Sequence, residues 1–231
     1  IAVALGLSPD PFLGANVTLM ANGFENPRSY QAGGGVEHQL AEGLVVGADY
    51  TYVKAVHLER NVQANLPTAS FDPADLAQRP QYFVTGAVRP IPTLRDVTLR
   101  DSSSKSLYQA LTLRAKFQRS WGQVNVFYVL SENLSDDDNE RDSGGTTYQD
   151  AFDFQPDYNY SNLDRRHQFT ANPVFTLGKG FEVSGAIRLL SGAPFDARFG
   201  SDANRDTNFL DRPYSAPGVS FERNAFRNRA I

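Results

Sequence analysis

Apolar and polar positions along this chain alternate with a period of two. From Leu44 to Leu58 one face reads Leu44, Val46, Ala48, Tyr50 and Tyr52, and the other reads Val45, Gly47, Asp49, Thr51 and Val53. From Leu107 to Phe117 the contrast sharpens, with Leu111, Leu113, Ala115 and Phe117 opposite Ala110, Thr112, Arg114 and Lys116. Gln123 to Ser131 sets Val124, Val126, Tyr128 and Leu130 against Gln123, Asn125, Phe127 and Ser131. The same pattern recurs in His167 to Leu177 and in Phe181 to Leu189, and more weakly in Ser29 to Leu40. Alternation of this kind predicts strands with one apolar face, because successive side chains of a strand point to opposite sides. Helical spacing is not sustained over any window of about 11 residues. Six strands are therefore expected.

The connections between them alternate in length. Ala41-Glu42-Gly43, Ser120-Trp121-Gly122 and Gly178-Lys179-Gly180 reverse the chain within a few residues, as hairpin turns do. The other connections, from Glu59 to Ser106, from Glu132 to Arg166 and after Gly200, are long and rich in Asp, Asn, Ser, Pro and Gly. Compact water-soluble domains seldom carry several loops beyond about 12 to 15 residues. Short turns at one end and long loops at the other are the pattern of an outer-membrane barrel. The fold class expected is all-β: an antiparallel up-and-down transmembrane β-barrel segment.

Composition narrows the alternatives. The 231 residues include no cysteine, which excludes a disulfide scaffold and any Cys-ligated zinc or iron centre. With 22 Lys+Arg against 26 Asp+Glu and no basic stripe, the chain offers nothing to track a phosphate backbone, so nucleic acid is not expected as a partner. No run of about 18 apolar residues marks a membrane-spanning helix. Aromatics make up 12% of the chain, and their positions matter more than their number. Phe117, Trp121 and Phe181 lie beside the short turns; Tyr50, Tyr52 and Tyr128 lie further along, about 16 to 21 Å up a tilted strand. Two such belts suit the two interfaces of an apolar band about 25 Å tall.

Several stretches resemble, in order, the TonB-dependent receptor barrels that follow a carboxypeptidase regulatory-like domain, often called Oar-like. They are Val36-Glu37-His38-Gln39-Leu40 with Gly43 and Val56-His57-Leu58, then Ser106 to Leu113, then Phe127-Tyr128-Val129-Leu130-Ser131 leading into Asp136-Asp137-Asp138. Asn162-Leu163-Asp164-Arg165-Arg166-His167-Gln168-Phe169 comes after these, then Ser191-Gly192-Ala193-Pro194-Phe195, Ser201 to Asp206, and Asp211-Arg212-Pro213. The resemblance implies a barrel of about 22 strands around a plug, in the cell outer membrane. Its implied partners are outer-membrane lipid, the plug domain, the remaining barrel strands and, through the plug, the TonB energising complex. No plug, energy-coupling box or terminal strand ending in an aromatic residue is recognisable, since the chain closes on Arg229-Ala230-Ile231. Residues 1–231 are thus expected to form one internal barrel segment.

Candidate chemistry is sparse. Asp202, Asn204, Asp206 and Asp211 place oxygen-bearing side chains at alternate loop positions, as a calcium loop does, although Thr207 and Pro213 stand where a helical hand needs Gly and Glu. The same side chains can instead accept backbone N–H groups in Asx-turns, so structural calcium is a candidate cofactor and an ordinary polar loop its rival. Asp136-Asp137-Asp138-Asn139-Glu140 reads as a solvated acidic loop. His38, His57 and His167 lack metal-ligand spacing, and Ser191-Gly192-Ala193 is not followed by a helix or by triad partners, so no enzyme is expected. Arg114, Lys116 and Arg188 lie on polar faces and would point into a lumen, where packing against a plug is the expected role. The function expected is ligand binding at extracellular loops followed by import. The rivals are a non-energised structural or adhesive barrel and a soluble β-sandwich binding module.

Overall fold

The structure, a computed structural model, describes residues 13–138 and 146–227. Its main element is a meander in which each long strand pairs with the next. Strands β2 (Arg28–Ala41), β3 (Leu44–Gln63), β4 (Leu94–Arg119), β5 (Gly122–Ser135) and β6 (His167–Gly178) run antiparallel in chain order. The last position is shared by β7 (Phe181–Ser184) and β8 (Ile187–Leu190), which both pair with β6 in one register from Glu182 to Leu190 after a shift at Phe181. Pro173 explains the interruption between them. Gly185 donates its N–H to the Pro173 carbonyl at 3.1 Å, but proline has no N–H to return. The sheet is open among the described residues, with β2 and the β7–β8 strand at its edges.

The three short connections are two-residue turns at one end, Glu42-Gly43, Ser120-Trp121 and Lys179-Gly180. At the third turn both residues have positive φ, 52° and 80°, the twist that a tight hairpin between right-twisted strands demands. No helix of the described residues is long and apolar enough to cross a membrane.

The opposite end departs from expectation. Much of the Glu59–Ser106 connection is strand rather than loop: β3 continues to Gln63 and β4 starts at Leu94. Alternation fails there because the sheet has left the apolar band, so neither face needs to be uniformly apolar. The two strands stay paired through irregular register around Leu58, with His57 at φ 58°. A further strand, β1 (Ala15–Met20), lies parallel to β4 along Leu94–Arg100, so the sheet is not purely antiparallel. The loop after Gly200 also carries short ladders, Pro194–Phe195 with Phe226–Arg227 and Tyr214–Ala216 with Val219–Ser220.

The long connections fold together into a cap. Its small core joins Leu66, Tyr82, Tyr148 and Ala151, with Val62 of β3 packed against it. The Tyr148 hydroxyl accepts the Gln63 N–H at 2.7 Å and so ties the core to the tip of β3. Fully buried Asn65 closes the 64–93 connection at its base. Its Nδ2 donates to the Ile91 and Leu94 carbonyls at 3.1 and 3.0 Å, and its Oδ1 accepts the Ile91 N–H at 2.8 Å.

The acidic run is a correction to the solvated loop expected. Asp136 and Asp137 are buried. Asp136 pairs with Arg60 at 2.8 Å, and Asp138 pairs with Arg223 at 3.2 Å. Carboxylates in these positions serve as anchors, because a buried charge needs a partner of opposite sign. Asn139 and Glu140 lie outside the described residues, as does the Arg229-Ala230-Ile231 end.

Candidate functional site

Register places side chains on faces, since directly paired residues of adjacent strands point the same way. One row crosses the sheet as Val36, Ala48, Leu113, Tyr128, Phe169 and Leu189. The next row on that face reads His38, Val46, Ala115, Val126, Ala171 and Ile187. This apolar face leaves Leu113, Ile187 and Leu189 exposed. Aromatics bound it at both ends. Near the turns the Trp121 ring stands 5.9 Å from both Phe117 and Phe175. Toward the cap, the Tyr50 hydroxyl donates to Gln109 Oε1 at 2.6 Å, and the Tyr128 hydroxyl lies 2.7 Å from His167 Nδ1. Rings with an apolar body and a hydrogen-bonded tip suit a boundary between apolar and wet surroundings.

The opposite face is polar. Its central row is Glu37, Gly47, Arg114, Phe127, Thr170 and Arg188. Arg114 is ion-paired within the sheet. It reaches Glu37 on β2 at 3.1 Å and Asp49 on β3 at 3.3 Å. Gly47 makes the crossing feasible, because a Cβ there would come within 2.5 Å of Arg114 Nε. Lys116 and Arg188 are exposed on the same face.

In the cap, the four sequence-predicted ligand residues are gathered in one loop and occupied by main chain. Asp211 Oδ2 accepts the Ala203 N–H at 2.6 Å. Asp202 takes the Asp206 and Thr207 N–H groups at 3.0 and 2.9 Å through separate oxygens. Asn204 Oδ1 accepts the Asp206 N–H at 3.0 Å, and Asp206 Oδ1 accepts that of Asn208 at 2.7 Å. This is the Asx-turn arrangement. Among the described residues no group of three or more His, Asp or Glu side chains is gathered as a metal would require. Burial pushes the Asp206 carboxyl up to about 7, and the charges of Asp211 and Asp202 add to the effect against the Asn208 and Asn204 hydrogen bonds. Burial also raises Asp211.

Among the described residues, the cap holds two large cavities, one polar and one aromatic. One, of 630 Å³, lies among β1, β3 and β4 and is lined by polar groups such as Asn61, Gln63, Asp96 and Asn208. The other, of 720 Å³, is walled by aromatic and proline side chains, among them Phe71, Pro80, Tyr82 and Phe152, with Asp150 and Asp153 in its lining. Sequence patterning missed both, since their residues come from connections without period. The one available signal was the density of proline and aromatics between Leu66 and Pro90.

No curated protein and no solved structure matches the chain. A family model described as an outer membrane beta barrel domain matches residues 4–230, nearly the whole length. With a meander of long strands, one apolar and one polar face, aromatics at both ends and tight turns opposite a cap, the chain belongs to the outer-membrane β-barrel domain family and resides in the cell outer membrane.

Proposed function

We propose that this barrel wall is part of a TonB-dependent receptor, which binds a ligand at its extracellular cap and imports it across the outer membrane. The single observation that carries the reading is the cap itself: long outer loops folded on buried ion pairs and holding cavities of 630 and 720 Å³. Cavities of this size accommodate small-molecule or short-peptide ligands. The resemblance of Asn162–Phe169 and Ser191–Phe195 to the Oar-like receptors supports the same reading.

In this scheme the apolar face meets lipid, and the polar face meets a plug. Unpaired strand edges cost several kcal/mol per backbone group in hydrocarbon, so further strands must complete the wall, to a total of about 22 by the resemblance. The chain supplies binding and a passage rather than catalysis; energy enters through the plug from the TonB complex. Site-directed cross-linking in living cells tests the scheme. The intact protein should form a specific adduct with TonB. Absence of that adduct, with the barrel correctly inserted, would refute energised import and favour the non-energised structural or adhesive barrel.

A further inference from the structure

The aromatic cavity continues into a second depression, and together they form a groove with one sign of charge. Leu66 and Tyr82, both buried, form the floor of the 720 Å³ part, while Phe71 and Phe152 stand exposed at its rim. The second part, of 280 Å³, shares Asp150, Asp153, Tyr214 and Gly218 with the first and adds Glu222. Among the described residues no Lys or Arg lines either part. Arg79, between the lining residues Gln78 and Pro80, is buried between the rings of Phe199 and Tyr214, 4.9 Å from each centroid.

The three carboxylates differ in availability. Asp150 is committed to the fold, its Oδ1 accepting the Tyr82 hydroxyl at 2.5 Å and the Phe152 N–H at 2.9 Å. Asp153 has one oxygen engaged, by the Gln155 N–H at 3.0 Å. Glu222 likewise has one, by Asn159 Nδ2 at 3.0 Å. Each keeps an oxygen without a donor among the described residues, open to an incoming one. At the other end, the Tyr82 and Phe152 rings lie 5.8 Å apart and tilted, with Pro67, Pro80 and Pro90 around them. Rings and prolines at one end and unneutralised carboxylates at the other demand a ligand with both an apolar and a cationic part. An anionic solute would face uncompensated repulsion.

We infer that this groove is the ligand site of the cap and that its ligand is a short basic peptide. An apolar or prolyl residue of the peptide covers Tyr82 and Phe152, in the manner of aromatic-lined grooves that take extended proline-containing segments, and a neighbouring Lys or Arg meets Asp153 and Glu222. The inference names the substrate class for the proposed receptor and depends on that reading only for the import step after binding.

The intact protein in zwitterionic nanodiscs, free of anionic lipid, is titrated with labelled Phe-Pro-Lys-Lys amide and with its Phe-Pro-Glu-Glu counterpart. The basic peptide should bind at least about tenfold more tightly, and the difference should shrink as salt rises. Asp153→Asn combined with Glu222→Gln should reduce the preference about tenfold, while Phe152→Ala should weaken the basic peptide several-fold; an unchanged protease pattern verifies the cap in each variant. Equal binding of the two peptides, or full discrimination retained in the neutralised variant, overturns the inference. Uptake in cells is a separate readout. Peptide discrimination without TonB-dependent entry would leave the groove assigned and remove the import reading. TonB cross-linking without discrimination would do the reverse.

Discussion

Replacing Arg60 by Met isolates the contribution of one of the cap's buried ion pairs. Arg60 is 1% and Asp136 4% exposed, with Nη2 and Oδ2 2.8 Å apart. At that distance the attraction is about 6 kcal/mol with an effective dielectric of about 20, against a desolvation cost of several kcal/mol per ion. The attachment is mainly Coulombic. The guanidinium nitrogens have no well-aligned hydrogen-bond acceptor among the described residues, and the group stacks 4.2 Å over the Phe154 ring. Asp136 is better bound, taking the Ser104 hydroxyl at 2.6 Å and the Lys105 N–H at 2.9 Å on Oδ1. Removing Arg60 strands a buried carboxylate, and the expected cost is about 3 to 5 kcal/mol of cap stability. With a urea slope of about 2 kcal/mol/M, the cap's unfolding midpoint should fall by about 2 M. Protease protection of the cap against urea in nanodiscs measures this, with heat-modifiable gel mobility reporting the barrel separately. Adding Asp136→Asn should recover much of the loss, because the amide keeps an acceptor for Ser104 and Lys105 without the charge. A midpoint shift under about 0.5 M for Arg60→Met, or no recovery in the double variant, would refute the view that buried ion pairs hold the cap.

The two faces and the cap lead to three other expectations. Leu113→Arg on the apolar face should cost about 2 to 4 kcal/mol of folding stability in vesicles and Thr112→Arg on the polar face far less; equal costs would contradict a lipid-facing assignment. Burial raises Asp206 from 3.8 to about 7, so the stability it contributes is full below about pH 4 and is lost as pH rises through 7. Asp206→Asn should therefore stabilise the cap at pH 8, by at most about 4 kcal/mol, and flatten its dependence between pH 5 and pH 8, as read from the urea midpoint. Because the chain has no cysteine, single replacements report sidedness cleanly. An impermeant maleimide on intact cells should label Leu163→Cys in the cap and spare Ser120→Cys at a short turn, and the opposite result would invert the topology.

The wall was legible from sequence because lipid on one side and polar surroundings on the other force a period of two. The turns were legible for the same reason, being brief gaps between periodic runs. That signal ends where the membrane ends. The upper parts of β3 and β4, such as Arg60 and Asp101, pair as regular strands without a one-sided environment to write alternation into them. The acidic run misled because Asp136 looks identical in sequence whether it meets water or Arg60, and its partner lies 76 positions away. The Asp202–Asp211 loop was recognisable as ordered by short oxygen-bearing side chains. What those oxygens bind depends on which backbone N–H groups converge, and spacing alone does not fix that. β1 was missed because a six-residue run pairing in parallel has no hairpin turn joining it to its partner.

The Arg114 crossing has a consequence for how the sheet finds its alignment. Strand β2 contains Gly33-Gly34-Gly35 and is exposed along its length, so side-chain packing there discriminates poorly between alternative pairings with β3. A slip of one residue would turn Glu37 onto the apolar face and leave Arg114 without its partner on β2. The exposed Glu37–Arg114 pair is worth only about 0.2 to 1 kcal/mol, yet a slip would forfeit it and add the burden of a carboxylate in hydrocarbon, while Asp49 on β3 keeps its own hold on Arg114. The bridge thus acts as a key for strand alignment during assembly, and it makes the glycine-rich edge copy the same offset in every molecule.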